Sequence, residues 1–193
     1  MEKSVILASG SPRRKQLLEM AGVPLVVEVS DADESHAEGV LPQDYARQTA
    51  FEKASCVMKK HVGQNVVIVA ADTIVVLDEA ILGKPRDGED AVRMLKNLSG
   101  RDHQVMTGVC VMDAESGTCV QFLAKTHVYF CPLTDGMIKR YVATGEPMDK
   151  AGAYGIQGGA AGFVEKIDGS YTNVVGLPVC ETMNVLRQLG VPV

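Results

Sequence analysis

A short polar segment early in the chain has the residue types needed to bind an anion. Residues 9–14 read SGSPRR. Ser11 can cap a helix that begins at Pro12, which places Arg13 and Arg14 in the first helical turn. Free N–H groups at a helix N-terminus favour an anion, and arginine offers forked donors to phosphate oxygens. The segment is therefore a candidate phosphate site, although a capped helix with solvated arginines also explains these residues.

A single acidic residue follows a wholly apolar run. Residues 66–71 read VVIVAA, which is typical of a central strand covered on both faces, and Asp72 comes next. Ligands of open α/β sheets bind where such strands leave the sheet. A carboxylate at that point can hold Mg²⁺ or accept a proton from water. An aspartate that only caps a turn is equally compatible with the pattern.

Two lysines occupy positions where an ammonium group could meet an anion. Lys53 falls on the same helix face as Ala46, Ala50 and Val57. An inward-facing lysine is costly unless it pairs with an anion, and the alternative is that its stem packs while the ammonium reaches water. Lys84 stands in a rigid Gly-Lys-Pro turn, where it is either a second substrate-binding cation or an ordinary loop lysine.

Two further segments carry candidate residues with weaker signals. Asp33 and Glu34 are adjacent acids in a polar loop, which could share a metal ion with a substrate phosphate or simply be solvated. Residues 152–162 read GAYGIQGGAAG, and such glycine density lets backbone approach a base or a sugar. Gln157 in that segment could contact a base edge or face water.

Composition limits the classes of function. The chain has 193 residues, of which 46% are hydrophobic and 22% charged, with a formal net charge of −5. This acidic balance argues against a nucleic-acid partner. Five widely spaced cysteines predict small core residues in a reducing compartment, not a disulfide framework or a zinc site. No apolar run reaches the roughly 18 residues of a membrane span, so a cytoplasmic protein without a membrane partner is expected.

The elements that must position these residues alternate between strand and helix, which predicts an α/β domain. Hairpins as well as crossovers are expected, so the sheet should be mixed. One hairpin is predicted across an Asp-Gly turn, between strands at residues 163–167 and 170–175. The long helix that carries Lys53 is predicted from residue 42 to residue 63.

Together these segments resemble the Maf family of nucleotide pyrophosphatases. The matching stretches occur in the family's order and span almost the whole chain. They are LASGSPRR at residues 7–14, EKA at 52–54, ADTIV at 71–75, GKP at 83–85, MTGV at 106–109, GEP at 145–147, KAGAYGIQG at 150–158 and NVVGLP at 173–178.

The resemblance implies one two-lobed α/β domain over residues 1–193, with a central mixed sheet flanked by helices and a nucleotide in the cleft between the lobes. This is the fold of Maf and inosine triphosphatase-like proteins. The implied reaction is cleavage between the α and β phosphates of a nucleoside triphosphate, aided by Mg²⁺ or Mn²⁺. The expected substrates are dTTP and UTP, with modified pyrimidine nucleotides as further candidates. A homodimer and a house-cleaning role linked to cell division arrest are also implied. The alternatives are a non-catalytic nucleotide-binding regulator of septum formation and a pyrophosphatase for inosine or xanthosine triphosphate.

The resemblance also assigns roles residue by residue. The catalytic set would be Asp72, Lys53, Lys84 and Glu34. Phosphates would be held by Ser9, Arg13 and Arg14 together with Lys53 and Lys84, and the metal by Asp72 and Glu34. Substrate specificity would depend on Arg13, Thr73 and Gln157. Members similar at these three positions act on dTTP and UTP, whereas the branch for 7-methyl-GTP carries Trp in place of Arg13 and Gln in place of Thr73.

Overall fold

The computed structural model describes residues 3–32 and 39–193. They form an α/β fold with a seven-stranded mixed sheet flanked by helices, as predicted. The strands are β1 (Ser4–Leu7), β2 (Leu25–Val27), β3 (Val66–Leu77), β4 (Ala80–Leu82), β5 (Asp102–Asp113), β6 (Cys119–Phe130) and β7 (Val164–Asp168). The helices are α1 (Pro12–Met20), α2 (Pro42–Met58), α3 (Gly88–Leu98), α4 (Asp135–Val142), α5 (Tyr171–Val175) and α6 (Val179–Gln188). Short 3-10 turns cover Glu146–Asp149, Ala151–Ala153 and Gly159–Phe163.

The sheet has the strand order β2-β1-β3-β5-β6-β7, and β4 pairs with β3 outside this path. Strand β1 is parallel to both of its neighbours, because Leu7 lies opposite Val27 on β2 and opposite Val69 on β3. The β3–β4 and β6–β7 pairs are antiparallel. The buried apolar runs in β1 and β3 fit parallel strands that are covered on both faces.

The chain divides into two compact units, and the first comprises Met1–Asp72, Thr107–Ala124 and Gly176–Val193. One apolar cluster of this unit joins residues of β1, α2, β3 and β5 and the residues that directly follow β1 and β5. Its members are Ile6, Ala8, Ala50, Ala54, Val57, Ile68, Ala70, Cys110, Met112 and Ala114. The cluster fixes α2 against the strands through small side chains, so the helix backbone lies close to the sheet.

The second unit comprises Thr73–Met106 and Lys125–Val175. Its core is richer in aromatic side chains, which pack edge to face. The ring centroids of Phe130 and Tyr154 lie 4.9 Å apart, and those of Tyr141 and Phe163 lie 5.2 Å apart. Such pairs add directional contacts to the area they bury.

The hairpin predicted across the Asp-Gly turn is wrong. Strand β7 forms, but the residues after the turn fold into the short helix α5. Ser170 Oγ accepts a hydrogen bond from the Asn173 backbone N–H at 3.2 Å, which favours a helical turn. The Asn173 side chain donates to Val105 O at 3.1 Å and to Thr126 Oγ1 at 3.0 Å. These contacts override the strand preference of the valines at residues 174–175.

Helix α2 ends five residues earlier than predicted, at Met58. Beyond it the backbone tightens: Lys60 N donates to Val57 O and His61 N donates to Met58 O, each at 3.0 Å. Among the described residues, no helix combines the length and the apolar character that crossing a membrane would require.

The prediction that the cysteines are core residues is correct for Cys110, which is buried. It is wrong for Cys119 and Cys180, which are exposed, while Cys56 and Cys131 are partly buried.

Candidate active site

Asp72 lies inside strand β3, not at its end as the sequence predicted. The strand continues because Val75 pairs with Leu82 and Leu77 pairs with Ala80, in an antiparallel hairpin with β4. The parallel neighbour β1, however, pairs only as far as Val69. Asp72 therefore lies three residues beyond the end of that pairing, which gives its carboxylate the partial access to solvent expected at the carboxyl end of parallel strands.

The ammonium group of Lys53 is the partner of this carboxylate. Lys53 Nζ lies 2.8 Å from Asp72 Oδ1, and the two side chains are 12% and 13% exposed. The buried residues Ala46, Ala50 and Val57 occupy the same side of α2. Of the two interpretations of Lys53, the structure supports pairing with an anion. Since water reaches both groups, this is a partly buried, charge-assisted hydrogen bond.

Helix α2 can carry Lys53 to β3 because glycine stands beneath it. A Cβ added to Gly108 on β5 would lie 2.2 Å from Ala46 O and 2.7 Å from Arg47 N. Any other residue there would push the helix backbone away from the sheet. Gly108, in the Thr-Gly-Val motif, thus lets α2 lie close enough to the sheet for Lys53 to reach Asp72, although the motif is distant in sequence from both residues.

The segment that follows β1 forms a tight turn into α1, with hydrogen bonds that fix its polar side chains. Ser9 Oγ accepts hydrogen bonds from Ser11 N at 3.2 Å and from Arg14 Nη1 at 3.0 Å. Arg14 Nε donates to Gly176 O at 2.8 Å. As predicted, Ser11 caps the helix, accepting from Arg14 N at 3.5 Å, and Pro12 opens it. Arg14 therefore ties this turn to the start of the last segment of the first unit.

The first turn of α1 contains no acidic residue, although helix starts usually favour one. It carries Arg13 and Arg14 instead, both partly buried. Positive side chains at the positive end of a helix dipole are best accommodated when an anion binds there. We use the name charged site for five residues of the first unit that make these two sets of contacts or adjoin them in the sequence: Ser9, Arg13, Arg14, Lys53 and Asp72.

The chemistry of the charged site fits a divalent cation that arrives with a phosphate ligand. Among the described residues, no group of three or more His, Cys, Asp or Glu side chains is arranged to hold a metal ion. Mg²⁺ does not need one, because it is commonly bound by one or two carboxylates, water and substrate phosphates. Asp72 supplies one such carboxylate. The predicted second one, Glu34, lies outside the described residues.

Three of the predicted site residues belong to the second unit. Thr73 follows Asp72 on β3 and is partly buried. Lys84 is exposed between β4 and α3, next to Gly83, whose carbonyl accepts from Gly152 N at 3.0 Å. Gln157 is exposed in the middle of residues 155–159, which we call the glycine loop.

A family model for Maf-like proteins matches residues 4–189. The chain belongs to the Maf family. Among its relatives, this Maf chain is 52% identical to the dTTP/UTP pyrophosphatase of Geobacter sulfurreducens, over 98% of this chain and 99% of that one. It is 49% identical to the dTTP/UTP pyrophosphatase of Geotalea uraniireducens, over 98% and 96% of the two chains. The dTTP/UTP pyrophosphatase of Bacillus cytotoxicus is 48% identical, over 96% and 95%.

The Maf chain also resembles a solved structure of much lower sequence similarity. The HAM1 protein from Coxiella burnetii aligns with a TM-score of 0.51 at 12% identity, over 96% of this chain and 99% of that chain. At this identity the likeness concerns the fold alone.

Several residues that support the charged site or the glycine loop had no assigned role in the sequence interpretation. Gly108, Glu146 and Gly176 fall in the matching stretches, but their types alone do not reveal what they contact. Tyr141 lies outside those stretches, and it resembles any other apolar residue of an amphipathic helix. Only a distance in the folded chain identifies these four, since their partners are far away in sequence or are backbone atoms.

Proposed function

We propose that this Maf chain hydrolyses nucleoside triphosphates between the α and β phosphates, with dTTP and UTP as preferred substrates. The products are a nucleoside monophosphate and pyrophosphate. The observation that carries the proposal is the 2.8 Å pair of Lys53 and Asp72, placed just beyond the end of β1 in the unit that also holds the arginine-bearing turn. The names of the relatives, each a dTTP/UTP pyrophosphatase, support the choice of substrate.

The charged site contains what this hydrolysis requires. A triphosphate carries about four negative charges at neutral pH, and attack by water needs these charges neutralised and the water aligned. The arginine side chains and Lys53 supply positive charge. Asp72 accepts a proton from the attacking water while the water oxygen bonds to the α phosphorus. The bond from the α phosphorus to the bridging oxygen then breaks, and pyrophosphate is released.

Lys53 has a second task in this scheme, because its hydrogen bond to Oδ1 fixes the Asp72 carboxylate. A carboxylate that is already oriented loses less conformational entropy when it aligns the attacking water. Ser9 is held in the same way by Arg14. We propose that the phosphate oxygens are bound by Ser9, Arg13, Arg14, Lys53 and Lys84.

Asp72, together with Glu34, would hold a divalent cation, Mg²⁺ or Mn²⁺. Such an ion, when bound, supplies additional positive charge to the phosphate oxygens. Glu34 is proposed on the family pattern alone.

Substrate choice is proposed to depend on Arg13, Thr73 and Gln157. Their identities match those of family members acting on dTTP and UTP, not those of the branch acting on 7-methyl-GTP. We further propose that residues 1–193 act as one catalytic domain, as a cytoplasmic homodimer that uses free nucleotides and takes part in nucleotide house-cleaning linked to cell division arrest. The net charge of −5 supports free nucleotides over nucleic acid as the ligand.

One assay tests the activity directly. The purified full chain is incubated with dTTP, UTP, CTP, GTP, ITP and XTP in the presence of Mg²⁺ or Mn²⁺, and the release of pyrophosphate is measured. We expect the fastest release from dTTP and UTP, with a monophosphate as the other product. Release of orthophosphate would place the cleaved bond elsewhere. Preference for ITP or XTP would support the purine alternative, and binding without turnover would support the regulator.

A further inference from the structure

The glycine loop, residues 155–159, is anchored to the second unit by its backbone. Gly155 N donates to the Tyr141 hydroxyl at 3.1 Å, and Gly159 N donates to Glu146 Oε2 at 3.0 Å. These two hydrogen bonds flank Gln157, which is itself exposed. Two fixed points on either side of one residue limit where its side chain can be.

The two anchors are linked to each other. The Tyr141 hydroxyl donates to Glu146 Oε1 at 3.0 Å while it accepts from Gly155 N. Burial raises the pKa of Tyr141, so the phenol stays protonated and keeps both hydrogen bonds over the physiological range. The ring packs edge to face on Phe163 and is only 5% exposed. Glu146 lies in a short 3-10 turn, where Lys150 Nζ donates to its carbonyl at 2.7 Å.

The glycines of the loop leave room for the side chains of Glu146 and Lys150. A Cβ on Gly158 would lie 2.1 Å from Glu146 Oε1, and a Cβ on Gly155 would lie 2.7 Å from Lys150 Cε. The loop backbone therefore lies directly against the Glu146 carboxylate. No side chain larger than hydrogen fits between them at these two positions unless its neighbour moves.

We propose that Tyr141 and Glu146 are positioning residues that set base specificity by holding the glycine loop, and with it Gln157, in place. The inference rests on the proposed function, in which Gln157 contacts the base. A carboxamide can accept from the N3–H of thymine or uracil while it donates to a neighbouring carbonyl oxygen. Such two-point recognition rewards a fixed backbone, because a mobile loop must be ordered anew with each substrate.

The central variant is Tyr141→Phe, which removes the hydroxyl and leaves the ring in the core. We expect its preference for dTTP and UTP over GTP, as a ratio of kcat/KM values, to fall by roughly three- to tenfold, the range that one hydrogen bond spans. The loss should appear in KM for the pyrimidine substrates, with kcat within about twofold of wild type. Amide hydrogen exchange in residues 155–159 should be faster. Glu146→Ala should act in the same direction, and Glu146→Gln, which keeps one oxygen acceptor, should lose less.

Tyr154→Phe is the matched control. Tyr154 is equally buried in the same unit, but the partner of its hydroxyl lies outside the glycine loop: it is His103 Nε2, at 2.8 Å. This variant loses a hydroxyl and some stability without releasing the loop. We expect its substrate preference to match that of wild type.

Three results would overturn the inference, and they differ from one another. If Gln157→Ala lowers the pyrimidine preference while folded Tyr141→Phe and Glu146→Ala keep it, the positioning role is wrong although the base contact stands. If Gln157→Ala itself keeps the preference, the proposed base contact is wrong and the positioning role falls with it. A loss in Tyr154→Phe equal to that in Tyr141→Phe would also overturn the inference, because it would reflect destabilisation alone.

Discussion

The charged site and the glycine loop are two candidate ligand-binding regions that are built in different ways. In the charged site, long polar side chains on β3, α1 and α2 pair with each other, as Lys53 does with Asp72 at 2.8 Å. In the glycine loop, the backbone provides the shape, and neutral or singly charged side chains beneath it provide the anchors. A side chain paired with an opposite charge can exchange its partner for a charged ligand, whereas hydrogen bonds to the loop backbone fix the shape of the loop.

The contrast extends to the surroundings of each region. In the first unit, Lys3 pairs with the buried carboxylate of Asp113 at 2.7 Å, so charge is met by opposite charge there too. In the second unit, the core beside Tyr154 buries His103, and burial lowers the pKa of that imidazole to about 4. We therefore expect the loss of a charge to impair the function of the charged site, and the gain of a charge to destabilise the second unit.

The largest expected effect comes from Asp72→Asn, which tests whether the charged site performs the chemistry. Removing the proton acceptor should lower kcat by at least about 10²-fold. The fold should persist, because asparagine has nearly the same shape and the site is open to water. Pyrophosphate release and circular dichroism melting measure the two quantities. Asp78→Asn removes an exposed carboxylate that pairs with Arg101 and should keep normal turnover. A folded Asp72→Asn protein with near-normal turnover would contradict the proposed role.

The next effect is expected from Lys53→Met, which keeps most of the stem and removes the ammonium. Losing a charge-assisted hydrogen bond and a phosphate-binding cation should lower kcat/KM for dTTP by roughly 10- to 100-fold. The melting temperature should fall by only about 5 °C or less, since Asp72 retains access to water. Lys60→Met, at an exposed lysine just after the same helix, should leave kcat/KM within about twofold. A large loss of stability with normal kcat/KM would mean that Lys53 is structural.

The smallest effect concerns acid stability and tests the neutral character of the second region. His103 stays neutral in the folded chain until the pH approaches 4, whereas in the unfolded chain it takes up a proton near pH 6.5. The unfolded state therefore binds more protons between these values, and stability is lost as the pH falls. The loss should reach about 2 kcal/mol at pH 5. Urea unfolding between pH 7.5 and pH 5 measures it.

The matched variant for this measurement is His103→Gln, which cannot gain a proton. Hydrogen bonds to Gln64 and Glu28 raise the pKa of His61 in the folded chain. Protonation of His61 therefore stabilises the folded state as the pH falls, which partly masks the effect of His103 in wild type. The difference between wild type and His103→Gln removes this shared contribution. Equal pH dependence in the two proteins would show that His103 does not bring a buried neutral imidazole into the fold.

The strands, helix starts and helix faces that depend on a local pattern could be predicted from the sequence. The apolar runs of β1 and β3 predicted central strands, and Ser11 with Pro12 predicted the start of α1, because capping and burial act within a few residues. The spacing along α2 put Lys53 on the inner face, since a helix repeats every 3.6 residues. The ordered motifs were specific enough to identify the family, which the comparison with known proteins confirmed.

The contacts between residues that are distant in sequence could be identified only from the folded chain. The Asp-Gly turn led into a helix and not a strand, because Asn173 bonds to groups 47 and 68 residues away. Gly108 lies so close to the Ala46 carbonyl on α2 that a Cβ would clash with it, and Tyr141 and Glu146 accept hydrogen bonds from a loop that resembled a simple glycine-rich turn. The type and spacing of residues indicate the helix or strand that they form. The side-chain contacts of a residue depend on the packing of the whole chain, which a local pattern does not specify.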